Sequence, residues 1–192
     1  MIPGDSNVRL LEDLAAGLID RERPCFALLD QDSTQLSWAT VKSLAAYKEF
    51  IPGTDPKRPK QCKVELWILL NTHQALMRLV PKVRGPQFWD SGEAATLDRV
   101  MGGREAWADL VTAPRRFHYG HLVRRYVDRL KGLGYGLVRQ CEILDPANGR
   151  RQYYMIHASD HLAAHSLMYW AQKEHRASTG RATSLFTEGQ ID

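Results

Sequence analysis

The chain has 192 residues, of which 44% are hydrophobic and 25% charged, and these fractions exclude collagen-like, low-complexity and wholly disordered proteins. Lysine and arginine number 26 against 22 acidic residues, so the net charge of +4 permits nucleic-acid binding without requiring it. Because the sequence shows neither an apolar run of about 18 residues nor a signal peptide, we expect a cytoplasmic protein that has no contact with membranes.

The first elements in chain order are a helix and a strand. Residues 8–19 carry apolar side chains at helical spacing, and Asp5 or Ser6 is placed to cap that helix. The apolar run 25–30 is too short for an independent helix. We therefore predict a strand that is buried on both faces, as in a parallel sheet.

A second helix and a second strand follow. Residues 37–50 predict a helix capped by Ser37, and residues 63–70 predict another buried strand. Residues 72–80 suggest a short helix. The stretch 81–114 is punctuated by proline and glycine, and we expect it to be irregular or built from short helices.

The clearest helix of the sequence is predicted over residues 117–131. Its apolar residues form one stripe, and its charged residues lie on the other side. Strands are predicted over 135–144 and 152–158, joined at 145–149 by residues typical of a hairpin turn. The apolar stripe consists of Leu122, Val123, Tyr126, Val127 and Leu130.

The remaining residues predict a last helix and a tail. Asp160 is placed to cap a helix over 161–175, and the polar residues 176–192 lack periodicity, so we expect a flexible tail after a single domain over 1–175. Strands that alternate with helices indicate an α/β fold with a parallel part and an antiparallel end. The final helix and hairpin can alternatively be interpreted as a winged helix.

Two acids follow the first predicted strand, and they form the first candidate site. Asp30 and Asp32 lie where ligands bind in open α/β sheets, at the carboxyl end of a strand. A carboxylate at this point can accept hydrogen bonds from an amine or serve as a base. The alternative is that both residues only shape and cap the loop.

A basic helix face forms the second candidate site. Its side chains can contact phosphates, although a solvated helix face explains the same pattern. The candidate nucleic-acid ligands are Arg115, Arg116, Arg124, Arg125, Arg129 and Lys131.

The histidines and cysteines are the candidate metal ligands of the sequence. His161 and His165 share a helix face with His157 nearby, but no glutamate follows the first as in a metalloprotease, and partial packing explains the cluster equally well. The three cysteines are far apart in the sequence, which argues against a disulfide framework and against a Cys-x-x-Cys zinc site. We therefore expect no metal.

Several short motifs occur in a fixed order over residues 4–175. They are Gly4-Asp-Ser-Asn7, Phe26–Asp30, Gln35–Thr40, Glu65–Leu70, Met77–Leu79, Leu97–Arg99 with Trp107, and Tyr154–His161 with Met168 and Trp170. In this order they resemble the three-Cys-motif partner proteins (TcmP). The resemblance implies a class I S-adenosylmethionine-dependent methyltransferase fold, of which this chain is similar to the carboxyl-terminal half, with two parallel strands and an antiparallel hairpin flanked by helices.

The resemblance also implies roles for individual acids. Asp5 corresponds to a position near the adenine pocket, and Asp30 to the acid beside the transferred methyl group, with Asp32 next to it. The family usually has Asp-Pro-aromatic-Gly at this loop, whereas this chain has Asp-Gln-Asp-Ser at residues 30–33.

The glycine-rich loop and the ribose-binding acid of such enzymes have no counterpart in this sequence. We therefore expect a chain that is inactive alone, and that takes part in S-adenosylmethionine chemistry only if a second polypeptide completes the site. The expected contact is the free edge of strand 25–30, with a protein partner or in a homodimer. The alternatives are a nucleic-acid-binding module and a small methyltransferase with an unconventional cofactor site.

Overall fold

The computed structural model describes residues 5–30, 34–55, 59–71, 75–80, 85–112, 119–144, 151–164, 166 and 169–170. Its helices and strands alternate in the first half of the chain, and a hairpin follows the longest helix. In chain order the elements are α1 (Ser6–Ala15), β1 (Phe26–Asp30), α2 (Trp38–Tyr47), β2 (Glu65–Asn71), α3 (Met77–Leu79), a 3-10 helix (Pro86–Asp90), α4 (Gly92–Met101), a 3-10 helix (Arg104–Ala106), α5 (Ala108–Thr112), α6 (Tyr119–Gly132), β3 (Leu137–Leu144) and β4 (Arg151–Ser159).

The strands form one mixed sheet in the order β1-β2-β4-β3. β1 and β2 are parallel, with Leu28 opposite Trp67, whereas β4 is antiparallel to both β2 and β3. The predicted α/β class, with one parallel pair and an antiparallel hairpin, is confirmed. The winged-helix interpretation is wrong, because β4 lies inside the sheet and the hairpin does not stand alone as a wing.

One face of the sheet carries the hydrophobic core. Along β2 the side chains alternate, and Leu66 and Ile68 are fully buried against the helices. Ile156 of β4 lies opposite Ile68 and is buried with it. The helices contribute Val41, Leu44, Leu97, Leu122, Val123 and Leu130 to the same cluster.

Two predicted helices are confirmed, α2 with its cap and α6 with its buried face. Ser37 caps α2, because its side-chain oxygen accepts a hydrogen bond from the Thr40 backbone N–H at 3.1 Å. All five residues of the predicted apolar stripe in α6 are buried. The 3.6-residue periodicity therefore identified the inward face of α6 correctly.

The prediction that strand 25–30 is buried on both faces is wrong for this chain. Phe26 is 58% exposed and Leu28 is 59% exposed. Both side chains lie on the face opposite the core, where no described helix covers them. The inward residues Ala27 and Leu29 pack against the core only partly.

Some predicted boundaries also differ from the structure. The helix predicted over 8–19 ends at Ala15, because Gly17 adopts the left-handed conformation (φ 68°) that terminates helices. Over 75–80, only Met77–Leu79 form an α-helix. The predicted cap Asp160 instead accepts from the backbone N–H groups of Gly136 at 2.9 Å and Lys63 at 3.4 Å, while the His161 side chain accepts from the Ala163 N–H. The predicted turn at 145–149 and tail at 176–192 lie outside the described residues.

Candidate functional site

The first strand has an unpaired edge in the part of the chain that the structure describes. β1 pairs only with β2, and the Glu65 N–H donates to the Cys25 carbonyl at 2.9 Å where that pairing begins. In a parallel pair, every second residue of a strand directs both its N–H and its C=O to the neighbouring strand. Since Cys25 faces β2, the backbone groups of Phe26, Leu28 and Asp30 face the open edge. Such an edge is a template for pairing with a strand of another polypeptide.

Large apolar side chains surround this edge on the face opposite the core. The rings of Phe26 and Trp67 meet edge to face, with their centroids 5.9 Å apart. One row across β1, β2 and β4 consists of Leu28, Trp67 and His157. The exposed fraction falls along this row from 59% at Leu28 to 2% at His157. The apolar surface is therefore concentrated at β1, and contiguous surfaces of this kind mark interaction sites.

An apolar groove of about 400 Å³ runs along the edge on its helical side. Leu10 and Leu14 of α1 and Ile19 line it from one side, and Ala27 and Leu29 of β1 line it from the other. Helix α1 therefore lies along the free edge of β1. A strand placed at this edge would bury its apolar side chains beneath α1.

The acids predicted at the carboxyl end of β1 are only partly described. Asp30 is exposed at the last position of the strand, and Asp32 lies outside the described residues. Asp5 caps α1, because its Oδ1 accepts from the Asn7 backbone N–H at 2.9 Å. The structure therefore gives Asp5 a structural role, and its proposed role in cofactor binding stays a prediction.

Asn7 is the residue that connects α1 to the loop after β1. Its Nδ2 donates to the Gln35 carbonyl at 2.9 Å, and its Oδ1 accepts from the Ser37 N–H at 2.9 Å and the Thr40 hydroxyl at 2.8 Å. Asn7 belongs to the motif Gly4-Asp-Ser-Asn7, but the motif alone indicates no role for it. Its partners lie about 30 residues away, and local periodicity cannot reveal contacts over that separation.

The basic face of α6 is only partly free. Arg125 donates to Asp109 Oδ2 at 2.7 Å, and this guanidinium holds the pKa of the Asp109 carboxyl below its usual value. The Arg129 guanidinium lies over the Trp38 ring, 4.8 Å from its centroid. Two of the candidate phosphate ligands are thus engaged within the fold.

The other candidate ligands have different surroundings. Arg124 is exposed, whereas Lys131 lies 3.4 Å from the Asp128 carboxylate in an exposed ion pair. Arg115 and Arg116 lie outside the described residues. The described part of α6 therefore does not present a continuous row of unpaired cations.

His157 is packed into the sheet beside an acid. It is 2% exposed, and its Nε2 donates to Glu65 Oε1 at 2.8 Å. The hydrogen bond from His157 lowers the pKa of the Glu65 carboxyl, with a further contribution from the Trp67 indole N–H at 3.2 Å. The His157–Glu65 pair links β4 to β2.

The other two histidines do not complete a metal site in the described residues. His161 is half-buried, and its Nδ1 accepts from the Ala163 N–H at 3.1 Å. His165 lies outside the described residues. Over the ranges that the structure describes, no group of three or more histidine, cysteine or acidic side chains could hold a metal ion.

A pocket lined by charged and polar side chains lies at the amino ends of β1 and β2, and no pattern in the sequence predicted it. It has a volume of about 280 Å³, and Lys48, Cys25, Cys62 and Glu65 are among its lining residues. Burial raises the pKa of the Cys62 thiol, with a smaller contribution from the Asp160 carboxylate. The pocket was missed because its walls come from segments that are distant in the sequence.

Comparison with known proteins yields no relatives: no family model, no curated protein and no solved structure matches this chain. Within the described residues, no helix combines the length and the apolar character needed to cross a bilayer. The functional assignment therefore depends on the geometry of the molecule itself.

Proposed function

We propose that this chain is a TcmP-like partner subunit, equivalent to the carboxyl-terminal half of a class I methyltransferase sheet, and that a second polypeptide completes it at β1. The order of the strands supports the proposal. The family resemblance implies two parallel strands and an antiparallel hairpin for this half of the sheet, and the sheet β1-β2-β4-β3 contains both.

The observation that carries the proposal is the open edge of β1 beneath α1. Crossovers between parallel strands are right-handed, and their helix covers both strands that it connects. Helix α1 precedes β1 and lies along its free edge, with an apolar groove between them. This groove fits a further strand parallel to β1.

The same geometry disfavours a second copy of this chain as the occupant. In a dimer with two-fold symmetry about this edge, the two β1 strands would pair antiparallel. Both α1 helices would then lie over the same pair of strands. The partner that we propose is therefore a parallel, apolar strand that belongs to a folded second chain.

The described residues of this chain do not fit S-adenosylmethionine by themselves. A cofactor cradle of this fold needs glycines between the end of a strand and the start of the next helix. The described residues 34–37, between β1 and α2, contain no glycine, and the left-handed glycines Gly17, Gly102, Gly103 and Gly134 follow helices. Any cofactor site therefore needs the partner chain.

Site-specific photocrosslinking tests the proposal. A photoreactive phenylalanine derivative replaces Leu28 in cells, and the same residue replaces Leu162, which is 58% exposed elsewhere on the surface, as a matched control. We expect the derivative at position 28, but not the derivative at position 162, to crosslink to a different polypeptide. The crosslinked segment should be a strand that precedes a glycine-rich loop. Crosslinks to a second copy of this chain, or equal crosslinking from Leu162, would show that the proposal is wrong.

A binding measurement tests the cofactor part separately. Isothermal titration of the isolated chain with S-adenosylmethionine should give no saturable signal, whereas the crosslink-identified complex should bind it. Saturable binding by the isolated chain would show that these residues build a cofactor site unaided.

A further inference from the structure

The pocket at the amino ends of β1 and β2 contains a buried cation. Lys48 is 4% exposed, and its ammonium donates to the Arg23 carbonyl and lies 4.0 Å from Cys25 Sγ. Among the described residues, no carboxylate lies within ion-pair distance of Lys48. The Arg23 carbonyl and the weakly accepting Cys25 sulfur satisfy at most two of the three ammonium protons.

The acidic groups of this pocket do not neutralise Lys48. The Glu65 carboxylate is occupied by His157, with further hydrogen bonds from Trp67 and Ser159. Glu22 is exposed at the rim. A buried ammonium without a counter-charge is costly, and the carboxyl end of α2, where Lys48 is the capping residue, offsets only part of that cost.

We propose that the pocket binds a small carboxylate, whose anionic group pairs with the Lys48 ammonium. The lining lysines, which are Lys48, Lys60 and Lys63, outnumber the lining acids Glu22 and Glu65 by one, so a single negative charge balances the pocket. Pro24, Pro59 and the two thiols give the rest of the wall a weakly polar surface that suits a short carbon chain. The volume of about 280 Å³ restricts the ligand to roughly ten non-hydrogen atoms, since a cavity of about 150 Å³ already holds a benzene ring.

The binding test uses butyrate as the probe and n-butylammonium as its cationic counterpart. Each is titrated into the isotopically labelled full chain at constant ionic strength set by sodium chloride, and amide chemical shifts are followed. We expect saturable shifts with butyrate at Cys25, Lys48 and Cys62, and none with n-butylammonium. No saturation, equal binding of both probes, or shifts confined to other parts of the chain would overturn the proposal.

A pair of variants separates the charge of Lys48 from general electrostatics. Lys48→Met should raise the apparent Kd for butyrate at least about tenfold, because it removes a charged hydrogen-bond donor. Lys42→Met removes the same charge from an exposed position on the same helix and should leave the Kd unchanged. Equal effects of the two variants would contradict the proposal. If Lys48→Met fails to fold, the wild-type titrations still test the proposal, because they show where butyrate binds and whether n-butylammonium binds there too. Neither result depends on a partner chain.

Discussion

The two parallel strands of the sheet have similar apolar sequences and opposite environments. Leu66 and Ile68 of β2 are fully buried, because β2 has a strand on each side and helices over its core face. Their register partners on the same face of β1, Ala27 and Leu29, are only half-buried, because β1 has a neighbouring strand on one side alone. An apolar run thus specifies a strand, whereas its burial depends on which neighbours are present.

The largest difference in the free energy of unfolding is expected between two variants that truncate one side chain in β1 and one in β2. Ile68→Ala should destabilise the protein by about 2–5 kcal/mol, because it leaves a cavity in the packed core. Leu28→Ala should change the free energy of unfolding by less than about 0.5 kcal/mol, because its side chain faces solvent. Urea denaturation of the isolated chain measures both values, and a large cost at Leu28 would show that β1 is already covered in solution.

Proline substitutions in β1 sharpen the distinction between its two edges. Ala27→Pro removes an N–H that faces β2 and should cost about 1–3 kcal/mol. Leu28→Pro removes an N–H that faces the open edge and should cost less, while abolishing the strand addition that we propose. Comparable losses of stability for the two variants, measured by thermal unfolding, would contradict the assigned edge.

The pH dependence of stability reports on the His157–Glu65 pair, which joins the buried His157 of β4 to the first residue of β2. The pKa of Glu65 is lower in the folded state, so its contribution is fully present above its unfolded value near 4.5 and is lost as pH falls through the folded value. Glu65→Gln should cost about 1 kcal/mol at neutral pH, and the difference from the wild type should shrink in acid. Urea midpoints between pH 3 and pH 7 measure this, and a pH-independent difference would exclude this coupling.

The smallest expected effect concerns the exposed apolar surface of β1. Leu28→Lys should leave stability within about 0.5 kcal/mol of the wild type, because the ammonium reaches water directly. Binding of an apolar fluorescent dye should fall, since the variant places a charge in the open apolar surface. Leu162→Lys, at a similarly exposed site, is the control, and equal dye loss in both variants would place the apolar surface elsewhere.

The sequence predicted those features that depend on a single segment. The stripe of α6 and the cap of α2 were correct, because helical periodicity and capping involve residues within one or two turns. The class of the sheet also followed, since strands alternating with helices favour a parallel pair. The candidate site was predicted only in part: the edge of β1 was identified, whereas the pocket around Lys48 was missed.

Only the tertiary structure decided which neighbour each segment meets. It placed β4 between β2 and β3, exposed Phe26 and Leu28, and brought Lys48 beside Cys25. These contacts join residues that are far apart in the chain, and the hydrophobic effect that drives them is non-directional, so local sequence cannot specify the partner. The sequence by itself determined the elements and their apolar faces, and packing decided which of those faces stayed open.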